Sequence, residues 1–417
     1  MTDLIRSERQ RISTRSGWVV VAAAFTMMFV GLGQTYSFPS FFQEFQREFG
    51  APRAAVSWAF GICGAIYFSL GALSGMLADK HGARPVIMAG VALLVAGLLV
   101  VARAESLSAV YLGFGIVFGA GVGFSYVPAI GAVQRWFVLK RGLASGIAAT
   151  GPALGSLVHP KIAEALIEDL GWRGAYLTLA LATGAIGLVA ACFVDNSPEK
   201  RGFLPDGGDA GLSRASHAEL PGWTIRNALL SRPFFVLYVA TVLICLGLFV
   251  PFVHLANSAQ DIGFDRSAAL TLVSLIGVGS IVGRFFIGSI ADRMGRKRGQ
   301  AIMFSGIGVM LIWWIFANSF YELSFFALMF GAFFGGYIAL SASLLVDYFG
   351  PRNSSAIIGL SYTGAGIGSL LGPPLAGYAF DTTGSYTLPI VVAALCALTA
   401  SGLLMTLPNP SGVAGAR

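Results

Sequence analysis

The 417-residue chain is 56% apolar and 11% charged, with 54 glycines and a formal net charge of +7. Soluble proteins carry roughly 25% charged residues, so the chain lacks the polar material to coat two or three water-soluble domains. The basic excess would suit a nucleic-acid binder, but its placement along the chain argues otherwise, and no nucleic-acid partner is expected.

Residues 1–16 are polar and basic and read as a cytoplasmic N-terminus. The first apolar run is too long for a cleavable signal and has no small-residue cleavage site after it. Apolar runs follow near 17–41, 54–78, 85–102, 107–132, 143–167 and 172–194. A polar stretch at 195–233, rich in Gly, Pro and Ser and without periodicity, reads as a flexible cytoplasmic linker. Six further runs lie near 234–259, 267–290, 301–317, 322–346, 354–379 and 386–407, followed by a tail at 408–417. Each run is about twice as long as a barrel strand and uniformly apolar, which specifies helices. The predicted fold is an all-α membrane protein: twelve transmembrane helices in two pseudo-symmetric six-helix bundles, 17–194 and 234–407.

With both termini placed in the cytoplasm, most Lys and Arg fall on the inner side, at 1–16, 79–84, 134–142, 195–233 and 292–299. Six lie outside, while the acidic residues divide evenly, as expected if basic residues orient the chain. One cation, Arg284, belongs to neither side. Cys63, Cys192, Cys245 and Cys396 all lie in apolar runs without a C-x-x-C pair. They read as small buried residues, and neither a disulfide framework nor a metal site is expected.

The two halves repeat in register. Gly75-Met-Leu-Ala-Asp79-Lys80-His-Gly82-Ala-Arg84 recurs as Gly288-Ser-Ile-Ala-Asp292-Arg293-Met-Gly295-Arg296-Lys297. Phe118-Gly-Ala with Gly123 recurs as Phe330-Gly-Ala with Gly335, and the Gly146–Gly155 pattern recurs at Gly359–Gly368. The G-x-x-x-D-(R/K)-x-G-x-(R/K) turn, present twice, resembles the signature of the major facilitator superfamily over essentially the whole chain. That resemblance implies a secondary transporter whose halves rock around a midplane site. Asp79, Arg84, Asp292, Arg293 and Arg296 are expected to form a cytoplasmic gate, the alternative being that these charges only fix topology.

Arg284 lies within Ile281-Val-Gly-Arg284-Phe-Phe-Ile-Gly288, eight residues before Asp292. At 1.5 Å per residue this is about 12 Å inside the boundary. A cation at that depth costs on the order of 2.5–3.5 kcal/mol, and its planar fork matches a carboxylate through two hydrogen bonds. Arg284 therefore reads as the site for a small organic anion, or else as a buried Arg tied to a helix carbonyl or a distant acid. Tyr36, Tyr126, Tyr337 and Tyr362, from four helices, and Ser125 beside Tyr126 are the candidates to line that site. Each tyrosine could instead be packed with its hydroxyl on a neighbouring carbonyl. Asp261, in Asn257-Ser-Ala-Gln-Asp261, and His159, in Leu157-Val-His159-Pro-Lys161, are the candidate proton carriers; the competing readings are a loop cap and a helix-end residue. No nucleophile triad, metal cluster or phosphate loop is discernible, so an enzyme is not expected.

The segment Arg135-Trp136-Phe137-Val-Leu-Lys140-Arg141-Gly142-Leu143-Ala144-Ser-Gly146 resembles the helix 4–5 signature of monocarboxylate transporters and the same stretch of bacterial oxalate:formate antiporters. Both groups carry an arginine in helix 8, matched by Arg284. The antiporters' lysine in helix 11 is replaced by Ala365, which leaves one fixed cation and favours a monoanion. The transporters' acidic residue one turn before the arginine is Ser280 here, and their helix 1 acid is missing around Ser16-Gly17-Trp18, which moves proton coupling to Asp261. The implied activity is proton-coupled symport of a lactate- or pyruvate-like monocarboxylate, the proton being the coupling ion and no resident cofactor being needed. The alternatives are an organic-anion exchanger and a membrane-embedded anion sensor. A monomer in a bacterial inner membrane is expected.

Overall fold

The computed structural model describes residues 2–137, 139–198 and 222–410, with side chains over 15–137, 139, 140, 142–198, 222–286 and 294–410. Apolar composition and the need to satisfy every backbone N–H and C=O without water make these residues helical almost throughout. The first half contains α1 (Thr2–Met28), α2 (Phe38–Phe49), α3 (Arg53–His81), α4 (Ala83–Ala102), α5 (Leu107–Val110), α6 (Gly119–Trp136), α7 (Arg141–Ala148) and α8 (Gly151–Phe193). After the linker come α9 (Ile225–Leu229), α10 (Arg232–Leu248), α11 (Val250–Asp261), α12 (Arg266–Met294), α13 (Arg296–Phe316), α14 (Phe320–Phe349), α15 (Ser354–Thr383) and α16 (Thr387–Met405). π-helical turns at Phe29–Gly33 and Tyr111–Phe118 join α1 towards α2 and α5 to α6.

Eleven helical stretches are long and apolar enough to cross a membrane. The longest, Gly142–Phe193, breaks at Gly171, whose φ of 67° only glycine adopts readily, so it makes two passes and brings the total to twelve among the described residues. Leu181, Phe235 and Phe316 stand more than 60% exposed on the outer circumference, as a lipid-facing surface requires. Of the expected boundaries, residues 199–221 of the linker and 411–417 of the tail lie outside the described residues, as do the side chains of 2–14.

Small residues set the helix spacing. On α12, a Cβ at Gly279 would meet the Leu328 carbonyl oxygen and one at Gly283 that of Ala332, while Gly331 and Gly335 of α14 press on Ile276 and Ser280 in return. The α12 and α14 backbones therefore touch, the packing expected where lipid offers no hydrophobic drive between helices. The two halves meet along two seams. In one, α3 runs beside α15, with Gly61 and Gly64 against Ser369 and Leu370. In the other, α8 runs beside α12, with Gly277 against Ala153 and Ser156. Replacing Gly283 with Ala is expected to lower the thermal unfolding midpoint in detergent, at a cost of roughly 1–3 kcal/mol. Gly402→Ala, where nothing stands within 4 Å, should be neutral or slightly stabilising.

Candidate functional site

Arg284 faces the seam between the halves. Its Nη1 donates to the carbonyl of Ala149, which caps the C-terminal end of α7 in the opposite half. That carbonyl end carries partial negative charge, so the contact is favourable for a cation. The rest of the fork is not consumed: Nε is buried and has no hydrogen-bond partner, and no described carboxylate forms an ion pair with Arg284. A buried guanidinium with spare donors at membrane depth is a site in want of an anion.

Three of the four expected tyrosines gather there. Tyr126, Tyr36 and Tyr362 lie within electrostatic range of the guanidinium. Tyr36 sits in the turn after the Phe29–Gly33 π-helical stretch, its ring 4.7 Å from Phe252 across the seam. Tyr126 follows Gly121 and Gly123, which let α6 approach α4 and α3 closely. Tyr362 of α15 meets Phe68 of α3 edge-on, with ring centroids 6.1 Å apart. The site thus draws on both halves, which a carrier needs if ligand binding is to govern how they meet.

Tyr337 is set back from the guanidinium. Its hydroxyl lies 3.8 Å from the Cys245 sulfur, its ring packs on Phe304, and together with Tyr362 it lines a cavity between helices of the second half. Ser125 is buried, but its hydroxyl donates back to the carbonyls of Gly121 and Val122 on its own helix, so it offers the site no free proton. His159 is buried on α8, with Nδ1 donating to the Gly155 carbonyl at 3.1 Å and its ring 4.5 Å from Phe29.

Asp261 is not a neighbour of Arg284. It ends α11 on the face away from the chain termini, whereas eighteen residues of α12 separate Arg266 from Arg284, about 27 Å of rise. Its carboxylate instead takes a bidentate pair from Arg53, at 2.6 and 2.7 Å. On the terminal face, the described gate candidates pair as follows. Arg135 donates to Asp79 at 2.7 Å, Arg84 to Asp195 at 2.6 Å and Arg296 to Asp347 at 2.6 Å, each within its own half. These described pairs anchor helices of one bundle: in Asp79–Arg135 the acid lies in the first-half turn, and in Arg296–Asp347 the base lies in the second-half turn. The side chains of Asp292 and Arg293 lie outside the described residues.

Several contributors went unforeseen. Tyr67 of α3 is buried within electrostatic range of Tyr36 and Tyr126, and the Tyr67-Phe68 pair in mid-helix was the signal available for it. The Ala149 carbonyl carried no sequence signal, because only tertiary packing brings it to Arg284.

A membrane-spanning bundle of twelve passes, with an aromatic-lined cation held between two repeated halves, defines a carrier and not an enzyme. Residues 23–298 and 237–416 match the family model of the Major Facilitator Superfamily, and the chain belongs to that superfamily. It is 32% identical over 396 residues to monocarboxylate transporter 13 of Bos taurus, covering 94% of this chain and 89% of that protein. It is 31% identical over 417 residues to monocarboxylate transporter 2 of Rattus norvegicus, covering 94% and 83%, and 29% identical over 406 residues to monocarboxylate transporter 12 of Xenopus laevis, covering 93% and 88%. The protein is a multi-pass membrane transporter of this family for a small organic substrate.

If Arg284 is kept for a ligand and not for the fold, Arg284→Met should raise the unliganded thermal unfolding midpoint, by an amount equivalent to about 2 kcal/mol. A fall in the midpoint would mark it as a structural cation.

Proposed function

We propose that the protein carries a small monocarboxylate together with a proton by alternating access, Arg284 binding the carboxylate and Tyr36, Tyr126 and Tyr362 lining its tail. The observation that carries this reading is the Arg284 guanidinium, whose Nε is buried without a hydrogen-bond partner and which has no acidic partner among the described residues. A carboxylate can take two N–H bonds from one guanidinium face. One fixed charge suits one anionic charge, and the relatives are named for that substrate class. Bound substrate and proton together leave the site's charge as the empty carrier has it, so both forms can reorient across the membrane.

Of the candidate proton carriers, Asp261 is engaged by Arg53 at the far face, and His159 on α8 is the one within the first-half bundle. Both termini are read as cytoplasmic, supported by the distribution of Lys and Arg along the loops, and the protein as a monomer of a bacterial inner membrane.

A second reading, exchange of organic anions without net proton movement, is favoured by one observation. Among the described residues, no carboxylate is paired with Arg284 to hold a proton in step with substrate. Proteoliposomes separate the two. For symport, labelled lactate accumulates under an inward proton gradient without internal substrate, and Arg284→Ala reduces uptake at least about tenfold. Tyr126→Phe should raise KM, whereas Tyr337→Phe should leave uptake near wild type. Uptake that needs internal anion and ignores the gradient would establish exchange.

A further inference from the structure

Opposite the terminal face, the halves are fastened by a network that neither reading of the substrate uses. Its centre is His254, fully buried on α11. Nε2 lies 2.8 Å from the Pro373 carbonyl oxygen of α15, which can only accept, so Nε2 carries the hydrogen. The Ser57 hydroxyl of α3 donates to the Arg53 carbonyl and sits 3.2 Å from the same Nε2–H. Nδ1 is then an acceptor, and the Tyr386 hydroxyl at 3.0 Å donates to it. The Tyr386 oxygen in turn accepts from Arg53 Nη1 at 2.7 Å, and Arg53 closes the network on Asp261.

Every element packed on the histidine contributes. Besides Arg53 on α3, Asp261 on α11 and Tyr386 before α16, the charged group at hand is Asp381 of α15. Its carboxylate accepts from the backbone N–H groups of Arg53 and Ala54 at 3.0 and 2.8 Å. Asp381 thereby caps the N-terminus of α3 from the other half, a service that Pro52 at the N-cap position cannot perform. From α2 the histidine meets only the edge of Phe42. The Arg53 guanidinium also lies 3.8 Å over the Phe380 ring. A second cross-half pair, Arg266 with Glu44, and the bond from Lys161 to Ser267 lie on this same face. Among the described residues, the ion pairs that join the two halves are found here, and those of the terminal face stay within one half.

We propose that His254 is the positioning residue through which protonation opens this face of the carrier. The closed network has a place for the neutral ring only. A second proton must go on Nδ1, where an N–H would confront the Tyr386 O–H that now donates to it. Tyr386 would have to turn its hydrogen away while its oxygen is held by Arg53. The imidazolium would also place a second cation beside Arg53, against a share of the Asp261 charge that Arg53 already uses. Closure and protonation are therefore linked with opposite sign: a proton taken up when the halves part keeps them apart, and its release lets Arg53 fasten on Asp261 again. The closed form is favoured where the ring is neutral and is lost as pH falls.

The test needs no substrate, so it stands or falls separately from the monocarboxylate reading. Spin labels at Glu105→Cys and Asn318→Cys, on exposed loops of the two halves at this face, report their separation in nanodiscs, in a background with the four native cysteines replaced. Lowering pH from about 8 to about 5 should move the population to the longer distance, with a roughly tenfold change in the open-to-closed ratio. His254→Gln should remove the pH response, and Arg53→Gln should give the long distance at both ends of the range. Tyr386→Phe, which keeps the ring and deletes the donor, should already favour the long distance at high pH and serves if His254→Gln fails to fold. A wild-type distribution that ignores pH would overturn the proposal. So would a pH response that persists in His254→Gln, or that Tyr386→Phe leaves as in the wild type.

Discussion

A guanidinium held at membrane depth must be solvated by protein, and the arrangement of the two halves follows from how that is done here. Arg284 reaches across the seam to the Ala149 carbonyl, at the end of a helix whose dipole presents negative charge to it. This answers one of its donors and leaves Nε buried without a partner. The cation therefore bridges the halves and remains under-coordinated at the same time. A group fully satisfied by its own bundle could not respond to ligand, and one with no protein contact could not be kept in the bilayer.

Holding that group in register requires a rigid support, and glycine provides it. The α12 and α14 backbones touch at Gly279, Gly283, Gly331 and Gly335, so the segment leading to Arg284 has little freedom to slide. The seams between the halves are different in kind. They also use small residues, but at the face away from the termini they are fastened by polar groups: Arg53 with Asp261 and Tyr386, Asp381 on the α3 N-terminus, Arg266 with Glu44. Contacts within a half are made mostly of carbon and backbone; contacts meant to part and re-form are made of hydrogen bonds and charge. The paired turns of the terminal face are the exception: Asp79–Arg135 and Arg296–Asp347 are charge pairs that brace single bundles, with their charges reversed between the repeats.

The sequence pattern was strongest where a single helix decides the outcome. A run of about twenty apolar residues is a membrane helix whatever it packs against, and the 212–213-residue offset between repeated motifs exposes two halves without any contact being known. Arg284 stood out for the same reason, because depth along one helix follows from residue count and rise. Tyr36, Tyr126 and Tyr362 were found by type and by nearness to glycine. Tyr337, chosen on the same grounds, lines with Tyr362 a cavity inside its own half, because a shift of one or two residues around a helix turns a side chain from one neighbour to another.

Asp261 shows what pattern cannot reach. It was matched to Arg284 because both are ionisable and only 23 positions apart, but a helix end on one face and a mid-helix position are separated by most of the membrane. Its actual partner, Arg53, lies 208 positions away, and Tyr386 and Asp381 join it from further segments still, with His254 two turns back on α11. The sequence by itself determined the number and course of the helices, the duplication, and the one cation that the bilayer does not tolerate without purpose, since these rest on hydrophobicity and local geometry. Which side chains meet across the seam, which tyrosines share the site and which acid fastens the far face were decided only by tertiary structure. Those pairings depend on the rotation and depth of helices from two separate bundles, and no local property of either helix encodes them.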